Sequence, residues 1–350
     1  MRFLLFAGTR PEIIKLRPVS DALIAQGDEP IWAFVNQSRD LIRDMVLHDA
    51  CPTPIYVPCD VENYRHPLVG LHHEITKGII HRVPLDADWK AAIVQGDTQT
   101  AASAALTCAL AAIPVAHVEA GLRTHKSFPW PEEQNRRMIA SLASLHLAPT
   151  HAAKVNLRNE NVDQGRIVVT GQTGIDALHT TLKRANYERA SGPRVLRILV
   201  TCHRRENKGR ISMLANALKP LLVDHYVCWP SHPNYGEEVC VAFPFAAPMS
   251  HDALVGELLH ADLVITDSGG IIEEAAELEK NCLIIRDETE RPEAIDHGCW
   301  LVKRDEMDRL PHMIQHMLSG PASRRHSKGI YGDGAAAPRV AKALRKILPS

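Results

Sequence analysis

A regular alternation of short apolar runs with longer segments of helical periodicity constrains this sequence more than any other feature. Such alternation is typical of parallel strands joined by crossover helices. The predicted strands are 2–7, 30–35, 92–95, 114–118, 145–148, 166–169, 195–202, 225–231, 262–268 and 281–287. They fall into two series around the polar Gly/Pro stretch at 190–194, which indicates two doubly wound α/β domains.

The boundary between the two domains is predicted near "VVTGQTGIDALH" (168–179), where a strand passes through glycines into a helix. We predict an N-terminal Rossmann-like domain over residues 1–171 and a C-terminal one over residues 172–334. The terminal helix at 335–350 is expected to pack back on the first domain. Ligands of such folds bind beyond the carboxyl ends of the strands, and here we also expect them between the domains.

Composition excludes several classes of function. The chain has 350 residues with 40 basic and 41 acidic side chains, so its formal charge of −1 creates no global field for nucleic acid or an anionic membrane. Its eight cysteines form no C-x-x-C pair and no zinc-type cluster with histidine. Because no window approaches 18 apolar residues, we expect a cytoplasmic protein with reduced thiols and neither a nucleic-acid nor a membrane partner.

Two cations stand where the first strand passes into the first helix, in "GTRPEIIK" (8–15). In α/β proteins such a junction binds anions, because the backbone N–H groups and the helix dipole favour negative charge there. Arg10 offers a planar fork of donors and Lys15 a point charge. The segment lacks G-x-G-x-x-G, and the chain lacks G-x-x-x-x-G-K-[ST], so neither a dinucleotide oxidoreductase nor a phosphate-loop NTPase is predicted.

A second candidate anion site lies in "VITDSGGIIEEAAELEK" (264–280), where a strand ends just before Ser268, Gly269 and Gly270. Glycines let a phosphate approach the backbone N–H groups at a helix start. A tight strand-to-helix turn also needs glycine without any ligand, so this motif alone leaves both interpretations open.

The strand ends also carry a basic loop and several carboxylates. The loop "VTCHRRENKGR" (200–210) includes His203 and Arg205 and is either a ligand site or a solvated basic loop. Asp97 follows a strand and could simply cap the next helix. Glu132 and Glu133 follow Pro131, and exposed glutamates in this position ordinarily favour the helix dipole. These carboxylates therefore have both structural and chemical interpretations.

Seven blocks taken together resemble the non-hydrolysing UDP-N-acetylglucosamine 2-epimerase family. They are "GTRPEIIK" (8–15), "GDT" (96–98), "HVEAGLRT" (117–124), "PWPEEQNR" (129–136), "HRREN" (203–207), "TDSGGIIEEA" (266–275) and "RDETERPEA" (286–294). The resemblance implies two Rossmann-like domains facing across a cleft, the glycosyltransferase B-type architecture. It also implies reversible conversion of UDP-GlcNAc to UDP-ManNAc, no nicotinamide or metal cofactor, and a homodimer.

The resemblance also assigns roles to residues. Family chemistry eliminates UDP across C1–C2 to give a 2-acetamidoglucal and then adds UDP back, with the new proton on the other face. The implied catalytic residues are Asp97, Glu119, Glu132 and His203. The implied UDP and substrate contacts are Arg10, Lys15, Arg136, Arg205, His232, Ser268, Gly269, Gly270, Glu274 and Arg291. We expect Asp97 and Glu132 to carry the protons and Glu119 to orient or share them.

Four alternatives remain at this stage. A hydrolysing epimerase would release UDP and free ManNAc, but the full set "PWPEE", "HRREN" and "SGGIIEEA" favours the non-hydrolysing branch. An epimerase for a modified UDP-N-acyl sugar would share the same motifs. A B-class glycosyltransferase would need an acceptor. A catalytically silent nucleotide-sugar-binding regulator is disfavoured because all four implied catalytic residues are retained.

Overall fold

The computed structural model describes residues 1–36, 54–60, 64–184, 195–231, 243–319 and 327–347. The chain divides into two compact units, the first formed by Met1–Ala177 with Gly332–Ser350 and the second by Leu178–Tyr331. This division falls a few residues after the predicted boundary at 171 and 172. Each unit is described below by itself.

The described part of the first unit contains one parallel sheet of seven strands. They are β1 (Arg2–Ala7), β2 (Glu29–Asn36), β3 (Ile55–Pro58), β4 (Ala91–Gln95), β5 (Val115–Val118), β6 (Leu145–Ala148) and β7 (Ile167–Val169). Their order across the sheet is β3-β2-β1-β4-β5-β6-β7. The order reverses between β1 and β4, and the crevice outside such a switch point is where ligands of doubly wound folds bind.

The helices described in this unit lie between strands along the chain or follow the last one, as parallel pairing requires. They are α1 (Arg10–Ala25), α2 (Pro67–Arg82), α3 (Gln99–Leu110), α4 (Glu132–Leu142), α5 (His151–Asn159) and α6 (Thr173–Arg184), the last of which continues into the second unit. They cover both faces of the sheet, and β1 is accordingly apolar and buried from Phe3 to Ala7, after the half-buried Arg2 at its start. Phe3 and Leu5 join one buried cluster with α1, while Leu4 and Phe6 join another on the opposite face.

The second unit contains a parallel sheet of five strands in its described residues. They are β8 (Arg197–Thr201), β9 (Tyr226–Cys228), β10 (Leu263–Thr266), β11 (Asn281–Ile285) and β12 (Cys299–Val302), in the order β12-β11-β10-β8-β9. Its helices are α7 (Ile211–Leu218), α8 (His251–His260), α9 (Gly269–Glu277), α10 (Pro292–Asp296) and α11 (Leu310–Ser319). The loops that follow β8 and β10 lie at the carboxyl edge of neighbouring strands.

The last described helix, α12 (Ala336–Leu344), packs on the first unit. Val340 and Leu344 belong to the same buried cluster as α1. The helix start is held by Asp176, whose carboxylate accepts hydrogen bonds from the backbone N–H groups of Ala336 and Ala337 at 3.1 and 2.8 Å. In the described ranges, no helix has the length and apolar character needed to cross a membrane.

Two strands were missed by the sequence analysis, β3 and β12. Each has only four residues, and β3 ends on Pro58. Both are edge strands with exposed residues, so they lack the fully buried pattern of four-residue strands such as β6, and proline weakens the pattern of β3 further. They were therefore placed by pairing with β2 and β11.

A glycine in the loop after β5 gives a direct test of this packing. Gly121 has φ +89°, and a Cβ there would lie 2.2 Å from the carbonyl oxygen of Ala153 on α5. Because that neighbour is backbone, we expect Gly121→Ala to lower the free energy of unfolding by about 3 kcal/mol. The matched control is Gly27→Ala, since Gly27 has φ +77° but no described atom within 4 Å of the added carbon. Urea unfolding should show a loss of only about 1 kcal/mol for the control, and equal losses would contradict the packing argument.

Candidate active site

The loop after β1 is closed by a carboxylate from its own helix. Thr9 is the N-cap of α1, and Glu12 completes a capping box with it. Glu12 Oε2 accepts hydrogen bonds from the backbone N–H groups of Gly8 and Thr9 at 2.9 and 2.7 Å. The backbone N–H groups of Gly8 and Thr9, which were predicted to face a bound anion, therefore donate to the carboxylate of Glu12 instead. Arg10 begins the helix and is half-buried beside this loop.

Lys15, one turn further along α1, forms an ion pair with Glu119, one of the predicted catalytic carboxylates. Its ammonium Nζ forms an ion pair with Glu119 Oε2, and the side-chain amide of Gln95 donates to the same oxygen at 2.7 Å. All three side chains are buried. Glu119 follows β5 with φ +69°, an uncommon value for a non-glycine residue and one that often marks a functional position. Lys15 therefore contacts Glu119, a contact that the sequence analysis did not predict.

Asp97 follows β4 and is held by helix α4. Its carboxylate Oδ2 lies 2.5 Å from Arg136 Nη2, and its backbone carbonyl accepts a hydrogen bond from Asn135 Nδ2 at 2.9 Å. The cap of α3 is the next residue, because Thr98 Oγ1 accepts from the backbone N–H of Ala101 at 3.1 Å. The alternative that Asp97 merely caps this helix is therefore wrong.

The two glutamates at the start of α4 differ in their surroundings. Glu132 begins the helix and is half-buried. Glu133 is only 1% exposed, which contradicts its interpretation as an exposed helix-start residue. Glu133 Oε2 accepts from the backbone N–H of Thr124 at 3.1 Å and from Arg136 Nη1 at 2.9 Å. Arg136 thus connects Glu133 to Asp97, and the first unit brings Asp97 and Arg136 together as one group and Lys15 and Glu119 as another.

The basic loop of the second unit is organised by a buried aspartate. Asp267 is fully buried after β10, and its carboxylate accepts from the backbone N–H groups of His203 and Arg204 at 3.0 and 2.8 Å. It also accepts from Asn207 Nδ2 at 2.9 Å, and His203 Nδ1 lies 3.5 Å from Asp267 Oδ1. The His203 side chain stays 39% exposed, and Arg205 is exposed. The loop is therefore fixed by Asp267, while its predicted site residues remain accessible.

The Ser268–Gly270 turn starts helix α9 and packs directly on an arginine. A Cβ at Gly269 would lie 2.3 Å from Arg291 Nη1, whereas no described atom lies within 4 Å of a Cβ at Gly270. Gly269 is therefore required by close packing, and Gly270 leaves open space above the helix start. Ser268 N–H donates to Thr266 Oγ1 at 3.0 Å, and the two glycines after it stand at a helix start, a position suited to a phosphate.

Arg291 belongs to a buried network of charges beneath this turn. Its guanidinium Nε lies 2.6 Å from Glu273 Oε1, and its Nη1 pairs with Glu290. Glu290 also lies 2.8 Å from Arg286 Nη1 and 3.8 Å from Arg204 Nη2. Burial lowers the pKa of Arg286. Arg204 also lies 3.6 Å from Glu206 Oε1, so three guanidinium groups face three carboxylates and the charges of this network balance.

Two further predicted contacts belong to the second unit. Glu274 is buried in α9, and its Oε1 lies 3.6 Å from His251 Nε2. His232 lies outside the described residues.

Comparison with known proteins decides the family. The family described as UDP-N-acetylglucosamine 2-epimerase matches residues 79–345 of the chain. A UDP-N-acetylglucosamine 2-epimerase from Yersinia pestis is 38% identical over 379 aligned positions, which cover 99% of this chain and 98% of that protein. This chain belongs to the UDP-N-acetylglucosamine 2-epimerase family. The resemblance found in the motifs and the predicted enzyme class, an isomerase, are thereby confirmed.

Structural neighbours of this family member agree in fold. The UDP-GlcNAc 2-epimerase from Neisseria meningitidis, bound to UDP-GlcNAc, has a TM-score of 0.89 and 30% identity and covers 99% of this chain and 100% of its own. MurG from Acinetobacter baumannii, at 14% identity, has a TM-score of 0.60, and the match covers 99% of both chains, so it is similar in fold alone. These likenesses confirm the predicted fold class, two Rossmann-like domains of the glycosyltransferase B type.

The structure adds residues that motif reasoning missed in this epimerase family member. They are Glu12, Gln95, Glu133, Asn135 and Asp267, each of which holds a predicted site residue or its loop. Each of these residues lies inside one of the matching blocks or at the end of a strand, and this position is the one sequence feature that could have identified them. Sequence alone does not distinguish a residue that positions a site residue from the site residue itself.

Two buried histidines make the first unit sensitive to acid. His117 and His146 are register partners on β5 and β6, and burial lowers their pKa values to about 4 and about 3. His117 Nε2 lies 2.8 Å from the carbonyl oxygen of Gly96, next to Asp97. The neutral ring must donate there, so it supports the Asp97 turn in its uncharged form.

We expect the free energy of unfolding to fall as the pH drops from about 6.5, the ordinary histidine pKa, through about 4. In this window the unfolded chain binds more protons than the folded one, so acid favours unfolding. His146→Asn should remove about 2 kcal/mol of the loss that the wild type shows between pH 7.5 and pH 5 in urea unfolding. His151→Asn, at an exposed position, should keep the wild-type slope. An unchanged slope in the His146 variant would contradict this assignment.

Proposed function

We propose that this chain catalyses the reversible C2 epimerisation of UDP-GlcNAc to UDP-ManNAc, by elimination and re-addition of UDP without hydrolysis. The observation that carries the proposal is a pair of carboxylates, Asp97 and Glu119, each held by a cation after strands β4 and β5. They lie beside the switch point of the first sheet, where ligands of this fold bind. Proton transfer needs a group held within hydrogen-bond reach of its target, and Asp97 is positioned by Arg136 and Asn135 of α4.

The first unit supplies the proton carriers in this proposal. A base takes the proton from C2 of the sugar while the C1–O bond to UDP breaks, which leaves a 2-acetamidoglucal. A second group delivers a proton to the opposite face of C2 as UDP adds back at C1. We assign these transfers to Asp97 and Glu132. Glu119, whose Oε2 is occupied by Lys15 and Gln95, suits an orienting role better than a proton-carrying one.

The second unit binds the diphosphate in this proposal. Ser268 N–H donates to Thr266 Oγ1 at 3.0 Å, so the diphosphate is assigned to the backbone N–H groups of Gly269 and Gly270 at the start of α9. His203, held by Asp267 and partly exposed, is assigned to stabilise the departing UDP. Glu274 is assigned to the ribose.

The remaining assigned contacts differ in how the structure supports them. Arg205 is exposed and Arg10 is half-buried at the start of α1, and both are assigned to direct contacts with the substrate. Lys15, Arg136 and Arg291 are buried and paired with carboxylates, so they suit positioning of site groups. The contacts that the motifs implied are therefore of two kinds, residues that touch the substrate and residues that position other site groups.

Proton NMR of UDP-GlcNAc with the enzyme in D₂O tests the proposal. Deuterium at C2 together with a UDP-ManNAc signal that rises to a plateau is the expected result. Accumulation of UDP and free ManNAc would assign the hydrolysing reaction instead. Absence of exchange with UDP-GlcNAc, but exchange with another UDP-N-acyl sugar, would assign a modified substrate. UDP binding with no exchange for any such sugar would favour the silent regulator and overturn the proposal.

We further propose a homodimer, supported by the family resemblance. Light scattering coupled to size exclusion should give twice the mass of the chain. The mass of a single chain at micromolar concentration would contradict it.

A further inference from the structure

Glu12 connects two loops that carry different site residues. Its carboxylate oxygen Oε2 accepts from Gly8 N, Thr9 N and Thr9 Oγ1 at 2.9, 2.7 and 2.8 Å. The other oxygen, Oε1, accepts from Thr98 Oγ1 at 2.6 Å. Glu12 is only 1% exposed, while its donors Thr9 and Thr98 are half-buried. One buried carboxylate therefore ties the loop after β1 to the loop after β4.

These two loops meet because β1 and β4 are neighbours at the switch point of the sheet. The strands pair in parallel, with Leu5 opposite Ile93. The loop after β1 leads into Arg10, and the loop after β4 carries Asp97 immediately before Thr98. A bond at Thr98 therefore acts on the backbone position of Asp97.

Asp97 is anchored from the opposite side by α4. Asn135 Nδ2 donates to its backbone carbonyl, and Arg136 pairs with its carboxylate. Thr98 also serves as the N-cap of α3, through its bond from Ala101 N. The Asp97 turn thus lies between an anchor on α4 and an anchor on Glu12. A displacement of about 1 Å in such a group is enough to lower a rate by about 10²-fold.

We propose that Glu12 is a positioning residue that fixes the Asp97 loop against the Arg10 loop for proton transfer at C2. The inference rests on the proposed function. Burial raises the pKa of the Glu12 carboxyl, while its hydrogen bonds with Thr98, Gly8 and Thr9 oppose that rise. These hydrogen bonds therefore stabilise the buried Glu12 carboxylate. Removal of the carboxylate would leave the backbone N–H groups of Gly8 and Thr9 without their acceptor.

Two threonine variants distinguish the effect of the Thr98–Glu12 hydrogen bond from the effect of losing a helix cap. Thr98→Val removes both the α3 cap and the bond to Glu12. Thr150→Val removes an equivalent cap, since Thr150 Oγ1 accepts from Ala153 N at the start of α5 at the same 3.1 Å. Thr150→Val should lower Tm by about 2 °C, and Thr98→Val should lower it by more, because it also removes a donor to the buried Glu12 carboxylate. Only Thr98→Val is expected to lower kcat, by about tenfold or more, with KM for UDP-GlcNAc changed by less than about threefold.

Variants of Glu12 test the bridge from its other end. Glu12→Gln keeps an acceptor for the two backbone N–H groups and places an amide against the Thr98 hydroxyl, so it should retain kcat within about threefold. Glu12→Ala should lower kcat by about 10²-fold. Rates are normalised to the fraction of chains that bind UDP in calorimetry, because a purely structural defect would reduce that fraction and leave the normalised kcat unchanged.

Hydrogen exchange gives a readout that does not depend on activity. Faster exchange of peptides covering 96–100 is expected in Glu12→Ala and Thr98→Val but not in Thr150→Val. Equal normalised kcat and equal exchange in the two threonine variants would overturn the inference. If the wild type itself shows no C2 exchange, the proposed function fails, and the hydrogen exchange result still decides whether Glu12 fixes the loop.

Discussion

Asp97→Asn is expected to lower kcat for C2 epimerisation by about 10²- to 10⁴-fold, the usual contribution of a group that transfers a proton. Asparagine keeps an acceptor for Arg136 but does not take up a proton, so the turn should keep its shape. The measurement is the rate of deuterium incorporation at C2 in D₂O. UDP affinity, which we assign to the second unit, should change by less than about threefold.

The matched control for this variant is Asp86→Asn, an exposed aspartate of the same unit. It removes the same charge without touching the site and should keep wild-type kcat and Tm. A fall of less than about tenfold in the Asp97 variant, with UDP affinity retained, would remove Asp97 from the proton-transfer steps. Such a result would leave Glu132 as the remaining candidate on this unit.

Gly269→Ala is expected to lower the free energy of unfolding by about 2–4 kcal/mol and to weaken UDP binding by at least about tenfold. The added carbon would lie 2.3 Å from Arg291 Nη1, and this guanidinium is buried in ion pairs with Glu273 and Glu290. Displacing it leaves charges buried without their partners, which is strongly destabilising. Urea unfolding and calorimetric titration with UDP measure the two effects.

Gly270→Ala provides the comparison within the same turn. No described atom lies within 4 Å of its added carbon, so the free energy of unfolding should stay within about 0.5 kcal/mol of the wild type. UDP affinity should still fall, because the added methyl group lies where we expect the phosphate to approach. Unfolding of the Gly269 variant at the wild-type urea concentration would contradict the packing argument. Unchanged UDP affinity in both variants would exclude this turn as the diphosphate site.

Sequence patterns were most informative where a signal is local. The strands β1 and β6 were predicted with their observed ends, because each is a compact apolar run followed by a clear change to polar or helical residues. The carboxyl ends of strands were also located well, so that Asp97 and His203 were placed on the loops where the structure has them. β3 was missed because it is a partly exposed edge strand that ends in proline, which weakens a strand pattern.

The residues that position the site groups, such as Glu133 and Gln95, were missed for a different reason. Glu133 was read as a helix-start residue because proline followed by glutamate ordinarily favours the dipole. Its role depends on Arg136 and Thr124, which reach it only in the folded chain. Gln95 appeared as the end of an apolar strand, and nothing local marks it as a partner of Glu119.

The sequence by itself determined the α/β class, the two series of strands and the family, because apolar periodicity and ordered motifs are properties of the linear chain. Only the tertiary structure decided which loops meet. β4 lies between β1 and β5, and this strand order brings Thr98 to Glu12 and Gln95 to Glu119. Strand order is set by the burial of both faces of the whole sheet, a sum over many side chains distant in sequence. For that reason the partners of the site carboxylates follow from the fold and not from any single motif.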